Sequence, residues 1–183
     1  MSKKVLVPIS NGIEELEAIG IIDTLRRADA NVTVASVDKL QITASCNTKI
    51  VADTLIENCA NEQYDLIVLP GGLPGAEHLR DSKVLTSLLK EQAIKGKYYA
   101  AICASPVVVL QFHGLLEDKK ATVNPALAND LIIKDEIEKR VVVDGNCITS
   151  RARGTVLEFS VKLIELLYNK SKADQIKSDM LSQ

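Results

Sequence analysis

Short hydrophobic runs alternate with amphipathic stretches along this chain, regularly enough to predict its elements. Val5 to Ile9 is an apolar run that reads as a first, central strand. Asn11-Gly12 turns the chain, and a helix runs from Glu14 to about Ala28. Its apolar positions Ala18, Ile21, Ile22 and Leu25 recur at the offsets of one helical face. Asn31 to Val37 is rich in β-branched residues and makes a second strand. A strand–helix–strand order of this kind predicts a parallel sheet with a right-handed crossover.

Gln41 to Ser45 and Lys49 to Val51 are short alternating pieces that read as a small hairpin at a sheet edge, followed by a helical turn or two over Leu55 to Ala60. Asp65 to Leu69 is a continuous apolar strand bounded by Pro70-Gly71-Gly72, and Pro74-Gly75 marks a second turn. Asp81 or Ser82 caps the next helix, which carries Val84, Leu85, Leu88 and Leu89 and ends at Gly96. Tyr98 to Ile102 is a short buried strand. Ser105 at the N-cap and Pro106 at the first helical position then open a helix reaching His113-Gly114. Ala121 to Val123 reads as a brief strand ahead of a turn at Asn124-Pro125. Val141 to Val143 and Cys147 to Thr149 flank Asp144-Gly145-Asn146, a hairpin signal. Thr155 and Glu158 have capping-box spacing for a long, largely buried helix to Tyr168. The tail from Ser171 docks through Ala173, Ile176 and Met180. The pattern predicts one α/β domain over residues 1–183.

Composition narrows the function classes. The chain has 183 residues, 46% hydrophobic and 25% charged, in the range of an ordinary globular protein. A net charge of -2 leaves no electrostatic footprint for nucleic acid or an anionic membrane surface. No apolar run approaches the roughly 20 residues that span a bilayer. Met1 to Val5 leads straight into a strand with no signal-peptide pattern, so a cytoplasmic location is the expectation. The cysteines Cys46, Cys59, Cys103 and Cys147 are widely spaced and read as free thiols in a reducing compartment. His78 and His113 stand at ligand spacing from no Cys and not from each other, so no metal site and no metal cofactor is expected.

Cys103 falls where a strand stops and a helix begins. That position lifts a side chain off the C-terminal edge of a sheet, where open α/β folds bind ligands. Unpaired N–H groups and the positive end of a helix dipole there would favour thiolate over thiol. The layout is that of a nucleophile elbow with Cys in place of Ser. A small hydrophobe at a strand end fits these residues equally well.

A thiolate acting on a carbonyl needs a proton-transfer partner and donors for a developing oxyanion. Gly71-Gly72 follows a parallel strand and lets backbone N–H groups approach a ligand, although Pro-Gly-Gly alone is more often a plain turn. Glu14-Glu15-Leu16-Glu17 follows the first strand. Glutamates in a first helical turn usually complement the dipole. Glu17 flanks the apolar stripe, and a half-buried carboxyl there would hold its proton more tightly. Spacing alone does not choose Glu17 over Glu14.

Several stretches in register resolve that choice: Glu14 to Glu17, Leu25 to Ala28, Asn31 to Ala35, Tyr64 to Gly72, Ala100 to Ala104 and Thr149 to Arg151. Together, from about Lys4 to the C-terminal helix, they resemble the ThiJ/PfpI superfamily, and within it the branch of the parkinsonism-associated protein deglycase and its bacterial relatives. The resemblance implies a flavodoxin-like sandwich, class I glutamine amidotransferase-like, with a mostly parallel sheet, helices on both faces and a homodimeric assembly. It makes Cys103 the reactive, oxidisable cysteine and Glu17 its protonated partner. It also implies that the Gly72 and Ala104 amides line an oxyanion site shaped by Gly71, with Arg27 and Arg151 at basic positions near the interface and pocket.

Three positions depart from the family pattern. Asn124 precedes Pro125 where His is common, which removes a possible general base. Ala104 follows the nucleophile where the protease branch has His, which disfavours an intracellular cysteine peptidase. Ser150 to Gly154 replaces a more usual Gly-Pro-Gly stretch. The implied activity is that of a cofactor-free glyoxalase or deglycase acting on small 2-oxoaldehydes or their early protein adducts, with slow turnover. The alternative is a redox-sensing or chaperone-like stress protein working through oxidation of Cys103.

Overall fold

Alternation along the strands sorts their side chains into two layers. In the computed structural model, which describes residues 2–181, strand β1 (Lys4–Ile9) buries every position after the first. Val5, Val7 and Ile9 join one apolar cluster while Leu6 joins the other, as the two-residue period requires. Strand β2 (Asn31–Ser36) pairs parallel with β1 after helix α1 (Glu15–Arg27), so the predicted unit forms.

The short strands β3 (Gln41–Thr43) and β4 (Lys49–Val51) pair antiparallel as a separate two-stranded ribbon. Strand β5 (Thr54–Leu55) adds to the edge of the main sheet beside β2, and a single 3-10 turn over Ile56–Cys59 follows. Strand β6 (Leu66–Leu69) and strand β7 (Tyr98–Ile102) continue the parallel sheet on the other side of β1. The hairpin of β8 (Val141–Asp144) and β9 (Cys147–Ser150) closes it, with β9 parallel to β7 and β8 antiparallel at the edge. The order is β5-β2-β1-β6-β7-β9-β8. Helices cover both faces, so the fold is an α/β sandwich with a mostly parallel sheet, consistent with a flavodoxin-like architecture.

Helix α1 packs on one face with α4 (Val156–Leu167) and α5 (Lys170–Leu181). Helices α2 (Gly75–Asp81) and α3 (Lys83–Ile94) cover the other face. Ser82 caps α3 by accepting from the Leu85 N–H at 3.3 Å, and Gly96 follows its end at φ +66°. The tail docks as predicted: Ala173 and Ile176 are buried, and Met180 packs against the same cluster.

Five local expectations fail for identifiable reasons. Helix α2 stands where a plain turn at Pro74-Gly75 was expected; seven residues with Ala76 and Leu79 as the buried apolar positions are too few to show a period. Ser105 does not cap a helix: its backbone is already helical, and its hydroxyl donates to the Pro70 carbonyl at 2.5 Å. The segment it begins, Pro106–Gln111, winds as a π-helix, a form often found at functional sites. Residues 121–123 are buried but form no strand; Thr122 is held by its N–H to Thr149 Oγ1 at 2.9 Å and by its hydroxyl to the Ile137 carbonyl at 2.8 Å. The capping box also does not form. Thr155 Oγ1 donates to the Ala152 carbonyl, and Glu158 pairs with Arg140 at 2.6 Å.

Candidate active site

The C-terminal ends of β1, β6, β7 and β9 meet around Cys103, the residue that follows β7. Its N–H continues the sheet by donating to the Ser150 carbonyl at 3.1 Å. Its φ of +64° then turns the chain sharply out of the strand, a conformation that costs a residue with a Cβ on the order of 1 kcal/mol. The elbow read from the sequence is therefore present, with a side chain that is only 6% exposed.

Glu17 arrives from the first turn of α1 and is fully buried. Its Oε2 accepts the Gly71 N–H at 2.8 Å, while Oε1 has no hydrogen-bond partner in the structure. The Gly71 carbonyl in turn accepts the Glu14 N–H at 2.8 Å, which ties the loop after β6 to the start of α1. Glycine is required here. A Cβ at Gly71 would lie 2.5 Å from Cys103 Cβ and 2.9 Å from Glu17 Oε2. At Gly72, where φ is +91°, it would lie 2.3 Å from the Glu14 nitrogen.

Burial pushes the Glu17 carboxyl up to about 7, against the pull of the Gly71 N–H. The neighbouring Glu14 adds to the rise and Arg153 opposes it. The same burial, followed by the negative charge that Glu17 carries when ionised, pushes the Cys103 thiol up to about 11. Hydrogen bonds from the Asn124 side chain and the Gly72 N–H act in the opposite direction. Burial of the sulfur therefore opposes its ionisation, and the Asn124 and Gly72 donors act against that burial. The two acids are one coupled unit, and a proton on Glu17 both removes its repulsion and gives the sulfur a donor.

Asn124 reaches Cys103 twice. Its backbone N–H donates to the Cys103 carbonyl at 2.9 Å, and Nδ2 lies 3.2 Å from the sulfur. Ala104 directly follows Cys103 and is buried. Arg151 comes one residue after β9, yet its guanidinium turns to Glu138 Oε2 at 3.1 Å and its Nε is buried without a partner. Arg27 is not brought to this site within one protomer. It sits about ten residues, ~15 Å, up the helix from Glu17 and pairs with Asp23 at 2.7 Å on an exposed face.

Sequence reasoning missed the rim contact between Arg153 and Glu14, whose oxygen lies 3.5 Å from the guanidinium. No spacing rule joins residues so far apart in the chain. Among the described residues, no group of three His, Cys, Asp or Glu side chains gathers at metal-binding distance, and no helix is long and apolar enough to cross a membrane.

Comparison with known proteins places this geometry. The chain is 50% identical over 179 residues to protein DJ-1 homolog B of Arabidopsis thaliana; the match covers 97% of this chain and 41% of that protein, so the chain spans less than half of that relative's length. It is 30% identical to the glutathione-independent glyoxalase DJR-1.2 of Caenorhabditis elegans, with 96% of this chain and 93% of that one covered. The solved structure of oxidised DJ-1 from Toxoplasma gondii matches with a TM-score of 0.95 at 48% identity, covering 98% of both chains. The model of the DJ-1/PfpI family matches residues 3–166, and the chain belongs to that family.

Proposed function

We propose that the protein is a cofactor-free, cysteine-dependent enzyme that converts small 2-oxoaldehydes, or their early adducts on proteins, to 2-hydroxy acids. One observation carries the reading: a fully buried carboxyl, its proton held more tightly by that burial, lies against the sulfur of a strained elbow cysteine. The relative named as a glutathione-independent glyoxalase supports the substrate class.

In this mechanism the shared proton rests on Glu17 as the Cys103 sulfur adds to the aldehyde carbon. The carbonyl oxygen takes that proton, aided by the Gly72 and Ala104 amides, and a hemithioacetal results. Glu17, now a carboxylate, removes the hydrogen from the former aldehyde carbon to give an enediol. It returns that proton to the adjacent carbon while the hydroxyl proton on the first carbon passes to the neighbouring oxygen, leaving a 2-hydroxyacyl thioester on Cys103. Water hydrolyses the thioester, releasing the hydroxy acid and the thiol. Oxidation of one substrate carbon balances reduction of its neighbour, so no outside redox partner is needed. The Asn124 amide offers no base to activate that water, which makes hydrolysis the slow step. Purified protein should convert methylglyoxal to lactate without glutathione, and Cys103→Ala should not. Equal rates for the two proteins would overturn the reading.

The donors around the sulfur also favour a second reading, in which two equivalents of hydrogen peroxide oxidise Cys103 to a sulfinic acid with release of two waters. Selective gain of two oxygens on this residue, with no aldehyde conversion, would mark a sensor rather than a catalyst. We further propose a cytoplasmic homodimer built on the α1 and α4 faces, where Leu16, Ile19 and Leu157 are left 55%, 46% and 41% exposed. A monomeric mass in solution would exclude that assembly.

A further inference from the structure

We propose that Asn124 is the residue that holds negative charge on the Cys103 sulfur, and that the Ala126 N–H locks its side chain in the orientation for that task. The inference deepens the reading of Cys103 as the site's nucleophile and rests on it.

The geometry fixes which end of the amide faces the sulfur. Asn124 Oδ1 accepts the Ala126 N–H at 2.9 Å. A backbone N–H can only donate, so the atom opposite it must be the oxygen, and the NH2 group is left facing Sγ at 3.2 Å. The amide orientation is thus settled by a neighbour that permits one answer. Pro125 reinforces it, because the residue before a proline is held extended; Asn124 has φ -52° and ψ 131°, which points its side chain back over its own turn. The backbone N–H of Asn124 meanwhile grips the Cys103 carbonyl at 2.9 Å, so the sulfur and its donor cannot drift apart.

An amide NH2 donates and does not accept protons at any ordinary pH. Its hydrogen bond to sulfur strengthens when the sulfur becomes an anion. Asn124 therefore favours the charged form without competing for the proton, which leaves Glu17 as the group that exchanges protons with Cys103. In the pattern where His stands at this place, one residue can serve as both base and donor; here the functions are divided.

The test follows the pH dependence of Cys103 alkylation by iodoacetamide, read from the mass of the Cys103 peptide in the native protein. Asn124→Asp keeps an oxygen for the Ala126 N–H and sets an acidic oxygen, in place of NH2, against the sulfur. The alkylation midpoint should rise by about one pH unit or more, and the neutral rate should fall about tenfold. Asn124→Ala, which removes the donor without adding charge, should move the midpoint the same way by a smaller step, with a rate loss of about threefold. Should Asn124→Asp fail to fold, the direction of the Asn124→Ala midpoint decides. A wild-type midpoint in either variant, or an Asn124→Ala loss as large as that of folded Asn124→Asp, overturns the proposal. Alkylation needs no aldehyde turnover, so a wild-type protein inactive on methylglyoxal would sink the enzyme reading and leave this one standing.

Discussion

Two glutamates stand two positions apart in the first turn of α1 and behave as opposites. Glu15 sits in the turn of the β3–β4 ribbon, where its oxygens accept from the Cys46 N–H at 3.0 and 3.1 Å, the Thr48 N–H at 3.4 Å and the Ser45 hydroxyl at 2.9 Å. Slight desolvation raises its pKa, but bonds from its own N–H and from these donors prevail and hold it down at about 2. Glu17, fully buried against the Gly71 N–H and Cys103, is pushed up by burial to about 7. Helix position and residue type are nearly the same for both, so the difference comes from what each carboxylate can reach. Several donors near the surface hold the Glu15 carboxyl well below the usual range, whereas burial lifts that of Glu17 to about 7.

The largest effect that would break this contrast is loss of the acid itself. Glu17→Gln should reduce methylglyoxal turnover by about 100-fold or more, within the range for removing a general acid–base group. The same change should stabilise the fold at alkaline pH. Between an unfolded pKa near 4.5 and the folded value near 7, the native state keeps a proton that the unfolded chain has lost. Wild-type stability therefore falls as pH rises through that window, by about 3 kcal/mol in all. Denaturant midpoints of wild type and Glu17→Gln should coincide near pH 4 and diverge by pH 8 in favour of the variant. A flat difference across that range would show that Glu17 does not titrate there.

Gly71→Ala probes the single donor. Its Cβ would overlap Cys103, so we expect a loss of about 2 kcal/mol in chemical denaturation and a slower Cys103 alkylation at neutral pH. Glu15→Gln probes the other side of the comparison. It should cost about 1 kcal/mol, the low end for charged hydrogen bonds given partial exposure, and speed hydrogen exchange at the Cys46 and Thr48 amides. Because Glu15 is held below its unfolded pKa, its contribution is complete above about pH 4.5 and fades as pH falls towards 2. The smallest effect belongs to Arg153→Ala, which removes an opposing charge and should lift the Glu17 midpoint in a pH–rate profile by a few tenths of a unit.

These contrasts mark how far the residues alone could be read. The main strands β1, β2, β6, β7, β8 and β9, helix α1 and the elbow at Cys103 were legible because period and turn chemistry are local properties, whereas the two-residue edge strand β5 and the non-strand at 121–123 were not. The part of Glu17 was not: Glu14 and Glu15 share its first turn, and only the Gly71 amide, 54 positions away, distinguishes it. Arg27, placed near the interface and pocket by resemblance, pairs within one protomer with Asp23 at 2.7 Å, an i,i+4 contact that helix spacing alone offers. Asn124 could be read as a missing base. That it is a donor became visible only when Ala126 fixed its amide.

The β3–β4 ribbon lies outside the main sheet, yet the Gly12 N–H donates to the Thr43 carbonyl at 2.9 Å and the Ser45 N–H to the Ile13 carbonyl at 2.8 Å, just ahead of α1. A proteolytic nick at its exposed tip, between Cys46 and Thr48, would unfasten the peptide segment leading into Glu17 while cutting nothing in the reaction centre. The seating of the Glu17 carboxyl is in this way partly the work of a ribbon that contributes no side chain to it.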